Sequence, residues 1–125
     1  VLGALYVSDS KYNVDMFLGI GGGPEGVLAA SALDAYDCHF QGRFIFDNDK
    51  DIQEAKSMGI DDLDKKYELN EIVKGDSIFC ATGITSCNVL NGIKVEKGKF
   101  FSETLVTHKS SNYKEIVKRI NPIDE

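Results

Sequence analysis

Basic residues are in the minority: 14 Lys and Arg stand against 20 Asp and Glu, for a formal net charge of −6. A nucleic-acid binder needs a basic face to neutralise phosphates, so this balance argues against a polynucleotide partner. A small anionic substrate stays open, because helix N-termini and metal ions can outweigh a negative average locally. Cysteine is sparse. Cys38, Cys80 and Cys87 form no Cys-x-x-Cys pair and cannot all be bridged, which suits a reducing cytosol better than a secreted disulfide framework. The expected location is cytoplasmic. Long apolar runs are missing as well. The longest, Val27 to Leu33, is interrupted by Ser31 and falls well short of the ~20 residues that span a bilayer, so no membrane partner is expected. No Gly-Lys-Ser/Thr is present, which excludes a nucleotide P-loop at motif level. Repeats, linkers and low-complexity tracts are absent. The first residues, Val1 to Val7, lack an initiator Met and the basic start and cleavage site of a secretory signal. They are core-like where termini are usually polar, and read as a chain that begins inside a buried helix.

What is there suits one domain. The 125 residues are 42% hydrophobic and 27% charged, ordinary for a globular chain able to bury a core. Residues 14–20 form an apolar run that reads as a strand covered on both faces. Glycine-rich residues 21–26 follow, and then Val27 to Leu33, helical by propensity, with Pro24 suited to a first helical turn. Residues 38–46 (CHFQGRFIF) read as a second strand. Asp47-Asn48-Asp49 supplies an N-cap for a helix over 51–58, ended by Gly59. A short strand near residues 67–69 leads into one helical turn, and 77–81 reads as a third main strand. Segments 93–95, 99–107 and 113–120 read as antiparallel strands with turns at Asn91-Gly92 and Lys97-Gly98, the last segment being ambiguous with a helix. The expected architecture is an α/β layer followed by a small β element.

The glycine loop carries three readings. Gly21-x-Gly23-x-x-Gly26 matches the dinucleotide fingerprint, and Asp47 closes the next apolar segment about 20 residues on. Against it, Glu25 sits in the first helical turn, where a pyrophosphate would have to lie, and the two anions would repel. A divalent cation between carboxylate and phosphate removes the conflict, since Mg²⁺ and Mn²⁺ take one or two carboxylates with phosphate oxygens and water. The third reading is structural: Glu25 complements the helix dipole, worth about 0.3–1 kcal/mol. The residues alone leave all three open.

Other candidates read more blandly. Thr82-Gly83-Ile84-Thr85 ends a strand, where ligand sites of open α/β sheets gather, yet a turn with hydroxyls capping backbone groups is the simpler reading. Arg43 is expected to pair with an acid rather than a phosphate. His39 reads as a half-buried strand residue, and it is not at metal-ligand spacing from His108. Asp61, Asp62 and Asp64, beside Lys65 and Lys66, read as solvated surface, without the glycine and distal glutamate of a calcium loop.

The block from Phe17 to Ala32 (FLGIGGGPEGVLAASA) resembles the signature of class II, GlpX-type fructose-1,6-bisphosphatases, including those that also take sedoheptulose-1,7-bisphosphate. The resemblance continues through Gln41-Gly42-Arg43, Ala55 to Ile60 and Ile78 to Thr85, and fades into Leu90 to Ile93 and Glu103-Thr104-Leu105. It implies the layered α/β fold of the lithium-sensitive phosphatases, here its C-terminal part with mixed sheet and helices. It also implies hydrolysis of the 1-phosphate of a sugar bisphosphate with Mn²⁺ or Mg²⁺. Glu25 would be a metal ligand and Gly22 a backbone contact to substrate. Residues 1–125 would then be the C-terminal portion of a larger enzyme that forms a homo-oligomer. The N-terminal half, with most of the ligands and an Asp-Gly-Asp substrate motif, would be absent. Ser86-Cys87-Asn88 departs from the family's Gly-Asp, and His108 to Ser111 from its arginine-bearing strand, so no role transfers to either. The rivals are a non-catalytic sugar-phosphate or nucleotide-binding module and a Rossmann-type NAD-binding domain.

Overall fold

A computed structural model describes residues 1–123. The chain opens on two 3₁₀ segments, Leu2–Ser8 and Ser10–Tyr12, and reaches α1 (Gly23–Asp34) through an extended stretch. Then come β1 (Gln41–Gly42), α2 (Asp49–Ser57), β2 (Tyr67–Glu68), the single turn α3 (Leu69–Ile72), β3 (Ile78–Thr82), β4 (Lys94–Glu96), β5 (Lys99–His108) and β6 (Tyr113–Pro122). None of these helices is long and apolar enough to cross a membrane. The result is a mixed α/β fold.

β5 is the axis of a four-stranded sheet. β6 pairs with it along its whole length, from Lys99 opposite Pro122 to His108 opposite Tyr113. β3 and β4 share the other edge end to end, with Ile78 opposite His108 and Glu96 opposite Lys99. Lys97 and Gly98, with φ of 50 and 69, make the tight β4–β5 turn, in which both central residues are left-handed. α1 packs its Ala29, Ala32 and Leu33 with Ala4 and Leu5 of the first 3₁₀ segment against Phe79, Leu90 and Leu105. The alanines let the helix approach closely. Leu5 and Leu90 are almost fully enclosed, each contributing about 1.5–3 kcal/mol of burial.

Local signals hold where the chain satisfies itself. The Asn48 side chain accepts from the Asp51 N–H at 3.0 Å and caps α2. Gly59 takes the left-handed φ of 86 that ends it. The short strand before α3, β3 and the three late strands stand as read, and the ambiguous last segment is a strand.

Four expectations are corrected. The apolar segment 14–20 joins no ladder: Met16, Phe17, Leu18 and Ile20 are all exposed, Ile20 by 89%. A strand needs a partner for its backbone and cover for its faces, and no described segment pairs with it. Of 38–46 only Gln41 and Gly42 are paired, because β2 offers just two residues; His39 is exposed rather than half-buried. The sheet expected to be mixed is antiparallel throughout the described residues, since segment 14–20 joins no ladder and β1 meets only two residues of β2. Finally, Asn91-Gly92 is not a hairpin turn, for neither residue is left-handed. Tertiary contacts claim this pair instead: Gly92 N–H donates to the Ser86 hydroxyl at 2.9 Å and Ile93 N–H to the Ile84 carbonyl at 3.1 Å.

Candidate functional site

The glycine loop sits where a rigid element begins. Gly22 is the N-cap of α1, extended at φ −66 and ψ 152, and its carbonyl accepts the Gly26 N–H at 3.1 Å. No side chain caps the helix. Residues 21–25 are all exposed, so the first-turn N–H groups face solvent with the positive end of the helix dipole behind them. Pro24 fills a first-turn position where a missing N–H costs nothing. Buried alanines one and two turns further on anchor this helix end to the core, which fixes the loop's position.

Glu25 stands at the centre of that surface. Its carboxylate lies back over Gly22, so that a side chain at position 22 would meet Glu25 Oε2. The two candidate site residues are therefore neighbours in space as well as in sequence. Glu25 is exposed and makes no ion pair among the described residues. As a divalent-ion donor it fits in charge and access, but no cluster of three or more His, Cys, Asp or Glu able to hold a metal occurs among the described residues. By itself Glu25 would supply one ligand, not a centre.

The dinucleotide reading loses its scaffold. That fold needs the loop between parallel strands of one sheet, whereas segment 14–20 is unpaired and β1 pairs only antiparallel with β2.

The remaining candidates are structural. The Thr82 hydroxyl lies 2.8 Å from that of Thr104 across the β3–β5 ladder. The loop after Gly83 is stitched to itself, with Leu90 N–H donating to Cys87 Sγ at 3.4 Å and Cys87 N–H to the Leu90 carbonyl at 2.8 Å. Arg43, expected to find an acid, makes no ion pair among the described residues. Asp61, Asp62 and Asp64 are exposed, as read. All three cysteines are free; partial burial, then the neighbouring Asp37, raise the Cys38 thiol.

Two polar constellations escaped the sequence reading. At the β5–β6 turn, His108 holds Asp76 Oδ2 at 2.7 Å through Nε2 and Ser111 Oγ at 2.7 Å through Nδ1, while the Ser110 hydroxyl donates to the same Asp76 oxygen at 2.6 Å. The Ser110 and His108 contacts hold the Asp76 carboxyl below its usual range. This order of Ser, His and Asp could suggest a nucleophile, but it lies open at a hairpin tip and lines neither the cleft beside Asp34 and Leu69 nor the one beside Asn91 and Lys118. It ties the turn to the start of β3. The second is Glu103, bound to Asn91 and Lys118. Both join residues far apart in sequence, and only the β3–β5 register, with Ile78 opposite His108, could have announced the first.

A family profile described as bacterial fructose-1,6-bisphosphatase, glpX-encoded, matches residues 1–121. Among curated proteins, the chain is 34% identical over 122 residues to the D-fructose 1,6-bisphosphatase class 2/sedoheptulose 1,7-bisphosphatase of Trichormus variabilis, covering 87% of this chain and 35% of that protein. The protein of the same name from Thermosynechococcus vestitus is 32% identical over 139 aligned positions, covering all of this chain and 40% of the relative. The one from Prochlorococcus marinus is 37% identical over 103 residues, covering 71% and 31%. The chain thus spans roughly a third to two fifths of the length of these relatives.

Proposed function

This chain belongs to the glpX-encoded bacterial fructose-1,6-bisphosphatase family, and from that premise we propose that it is the substrate-binding and part-metal-binding portion of a metal-dependent sugar-bisphosphatase. The reaction is hydrolysis of the 1-phosphate of fructose 1,6-bisphosphate, with sedoheptulose 1,7-bisphosphate as a second substrate. One observation carries the reading beyond the family match: an unpaired, exposed carboxylate, Glu25, lies over a glycine N-cap at the uncapped start of an anchored helix.

Each part of that surface has a task. Glu25 is the residue of this chain that would hold Mn²⁺ or Mg²⁺, and the bound ion supplies charge stabilisation for the oxygens on phosphorus. The first-turn N–H groups of α1 present donors to phosphate oxygens. Gly22, without a side chain, lets the substrate reach the backbone. Because α1 is wedged into the core through Ala29, Ala32 and Leu33, the donors are held in place before the substrate arrives, which is where catalytic positioning is effective. The other ligands and the groups that orient the attacking water belong, in this reading, to the part of the relatives' length that this chain does not span.

The layered fold of the lithium-sensitive phosphatases goes with the same proposal. Its support is the apolar segment 14–20, which carries the composition of a covered strand and stands uncovered. A cytoplasmic location is supported by three free cysteines. The test is reconstitution: the chain is mixed with the remaining portion of a family member, expressed separately, and phosphate release from fructose 1,6-bisphosphate is followed with Mn²⁺. Activity on mixing supports the assignment, whereas release from pyrophosphate or a nucleotide but not from the sugar bisphosphate overturns the substrate class.

A further inference from the structure

β6 is a ten-residue strand with one edge on β5 and no partner on the other among the described residues. The direction of its backbone groups follows from the ladders. Gly83 N–H donates to the Glu103 carbonyl at 3.0 Å and Ile123 N–H to the Gly98 carbonyl at 2.9 Å. Antiparallel partners alternate between hydrogen-bonded and open pairs. Odd-numbered residues of β6 therefore turn their N–H and C=O groups to β5, and Lys114, Ile116, Lys118 and Ile120 turn theirs outward. Pro122, which has no N–H to give, falls on the outward set at the strand's end, where an edge tolerates it.

Edge strands are commonly guarded by lysines. Here both candidates are drawn back onto their own chain. Lys118 Nζ is 3.2 Å from Glu103 Oε1 and Lys114 Nζ is 5.6 Å from the centre of the Tyr36 ring. Between and beside them Ile116 and Ile120 are 42% and 60% exposed. On the opposite face Glu115 and Arg119 are exposed and make no ion pair among the described residues. Four residues apart on one strand, they stand about 13 Å from each other, too far to meet.

We propose that β6 pairs antiparallel with β6 of a second copy of this chain, about a two-fold axis at Val117. In that register Glu115 faces Arg119 of the other copy and the reverse, so the ion pair forms twice and each stranded charge meets one of opposite sign. Ile116 faces Lys118 and Lys114 faces Ile120, so no like charges meet. Neighbouring symmetric registers fail on the same count: an axis at Ile116 sets Lys114 against Lys118, and axes at Glu115, Lys118 or Arg119 set each of those residues against itself. The outward backbone groups meet one another, and the two four-stranded sheets become one of eight. The charge pattern fixes both the occupant and the register.

The test combines light scattering with amide exchange on the 125-residue chain, with circular dichroism to confirm that each variant folds. The expected result is a concentration-dependent dimer. Glu115→Arg or Arg119→Glu alone should weaken it at least about tenfold by setting like charges opposite each other, and the double reversal should restore it. Amides of Lys114, Ile116, Lys118 and Ile120 should exchange more slowly as dimer forms. A monomer at all concentrations overturns the proposal, as does a dimer indifferent to the single reversals or not restored by the double one. Protection appearing at residues 16–20 instead would assign the contact to the apolar segment. Protection of β6 in a family-length protein at every dilution would assign the edge to the rest of that chain. Either outcome overturns the pairing.

Discussion

The carboxylate of Glu103 accepts two hydrogen bonds from Asn91, one from its backbone N–H at 2.9 Å and one from its side-chain amide at 3.0 Å. With Lys118 at 3.2 Å on the other side, the pair clamps the loop between β3 and β4 onto the central strand. These bonds to the ionised form, those of Asn91 foremost, push the Glu103 carboxyl down to about 2 from an ordinary 4.5. A depressed carboxyl stabilises the fold above its unfolded pKa and loses that contribution as pH falls through its folded one. Thermal melts of the wild type and of Glu103→Gln should therefore differ at pH 6 and converge between about 4.5 and 2. A constant difference down to pH 2 would show that the charge is not what the clamp uses.

Glu25 gives the sharpest functional outcome. In a full-length family member, the substitution corresponding to Glu25→Gln should lower phosphate release by about a hundredfold or more, since a lost ligand leaves the metal misplaced. Stability should change by no more than the dipole contribution, about 0.3–1 kcal/mol. Turnover within a few-fold of wild type at saturating Mn²⁺ would remove Glu25 from the metal site.

Glycines at different places should respond with opposite sign. A Cβ at Gly92 would stand 2.6 Å from the Ile84 carbonyl oxygen and 2.7 Å from the Thr85 carbonyl carbon, and one at Gly83 would run into the Asn91 carbonyl. Backbone cannot swing aside as a side-chain tip can, so Gly92→Ala should cost about 2 kcal/mol. A Cβ at Gly26, inside α1, meets nothing, and Gly26→Ala should stabilise by about 0.5–1 kcal/mol through helix propensity. Urea denaturation of the two variants checks both signs.

The 125-residue chain alone should release no phosphate from fructose 1,6-bisphosphate. Glu25 is the one carboxylate proposed here to hold metal, no three-donor cluster occurs among the described residues, and catalytic groups that act together lose activity far more than additively when separated. Turnover by the isolated chain would mean that a complete site lies within it.

The cysteines should all be reactive as thiols under non-denaturing conditions, at unequal rates. Cys80 and Cys87 are exposed, whereas Cys38 is part-buried with its thiol raised, and the thiolate is the attacking species. Alkylation followed by mass spectrometry should label Cys38 last. A stoichiometric internal disulfide would contradict the free thiols seen here.

The sequence by itself determined what short-range chemistry decides. The α1 start at the glycines, the Asn48 cap, the left-handed Gly59, the tight Lys97-Gly98 turn and the late antiparallel strands all follow from residues within a few positions of one another. The pairing of Gly22 with Glu25 was legible for the same reason, three residues along a helix start. Tertiary structure alone decided where partners come from a distance. Residues 14–20 have the composition of a buried strand, but composition cannot create a neighbour, and no described segment pairs with them. Asn91-Gly92 has the dipeptide of a hairpin, yet Glu103 and Ser86 offer its N–H groups better partners than a turn would. Asp76 and His108 meet, 32 residues apart, only because β3 and β5 pair in a register that no local pattern encodes.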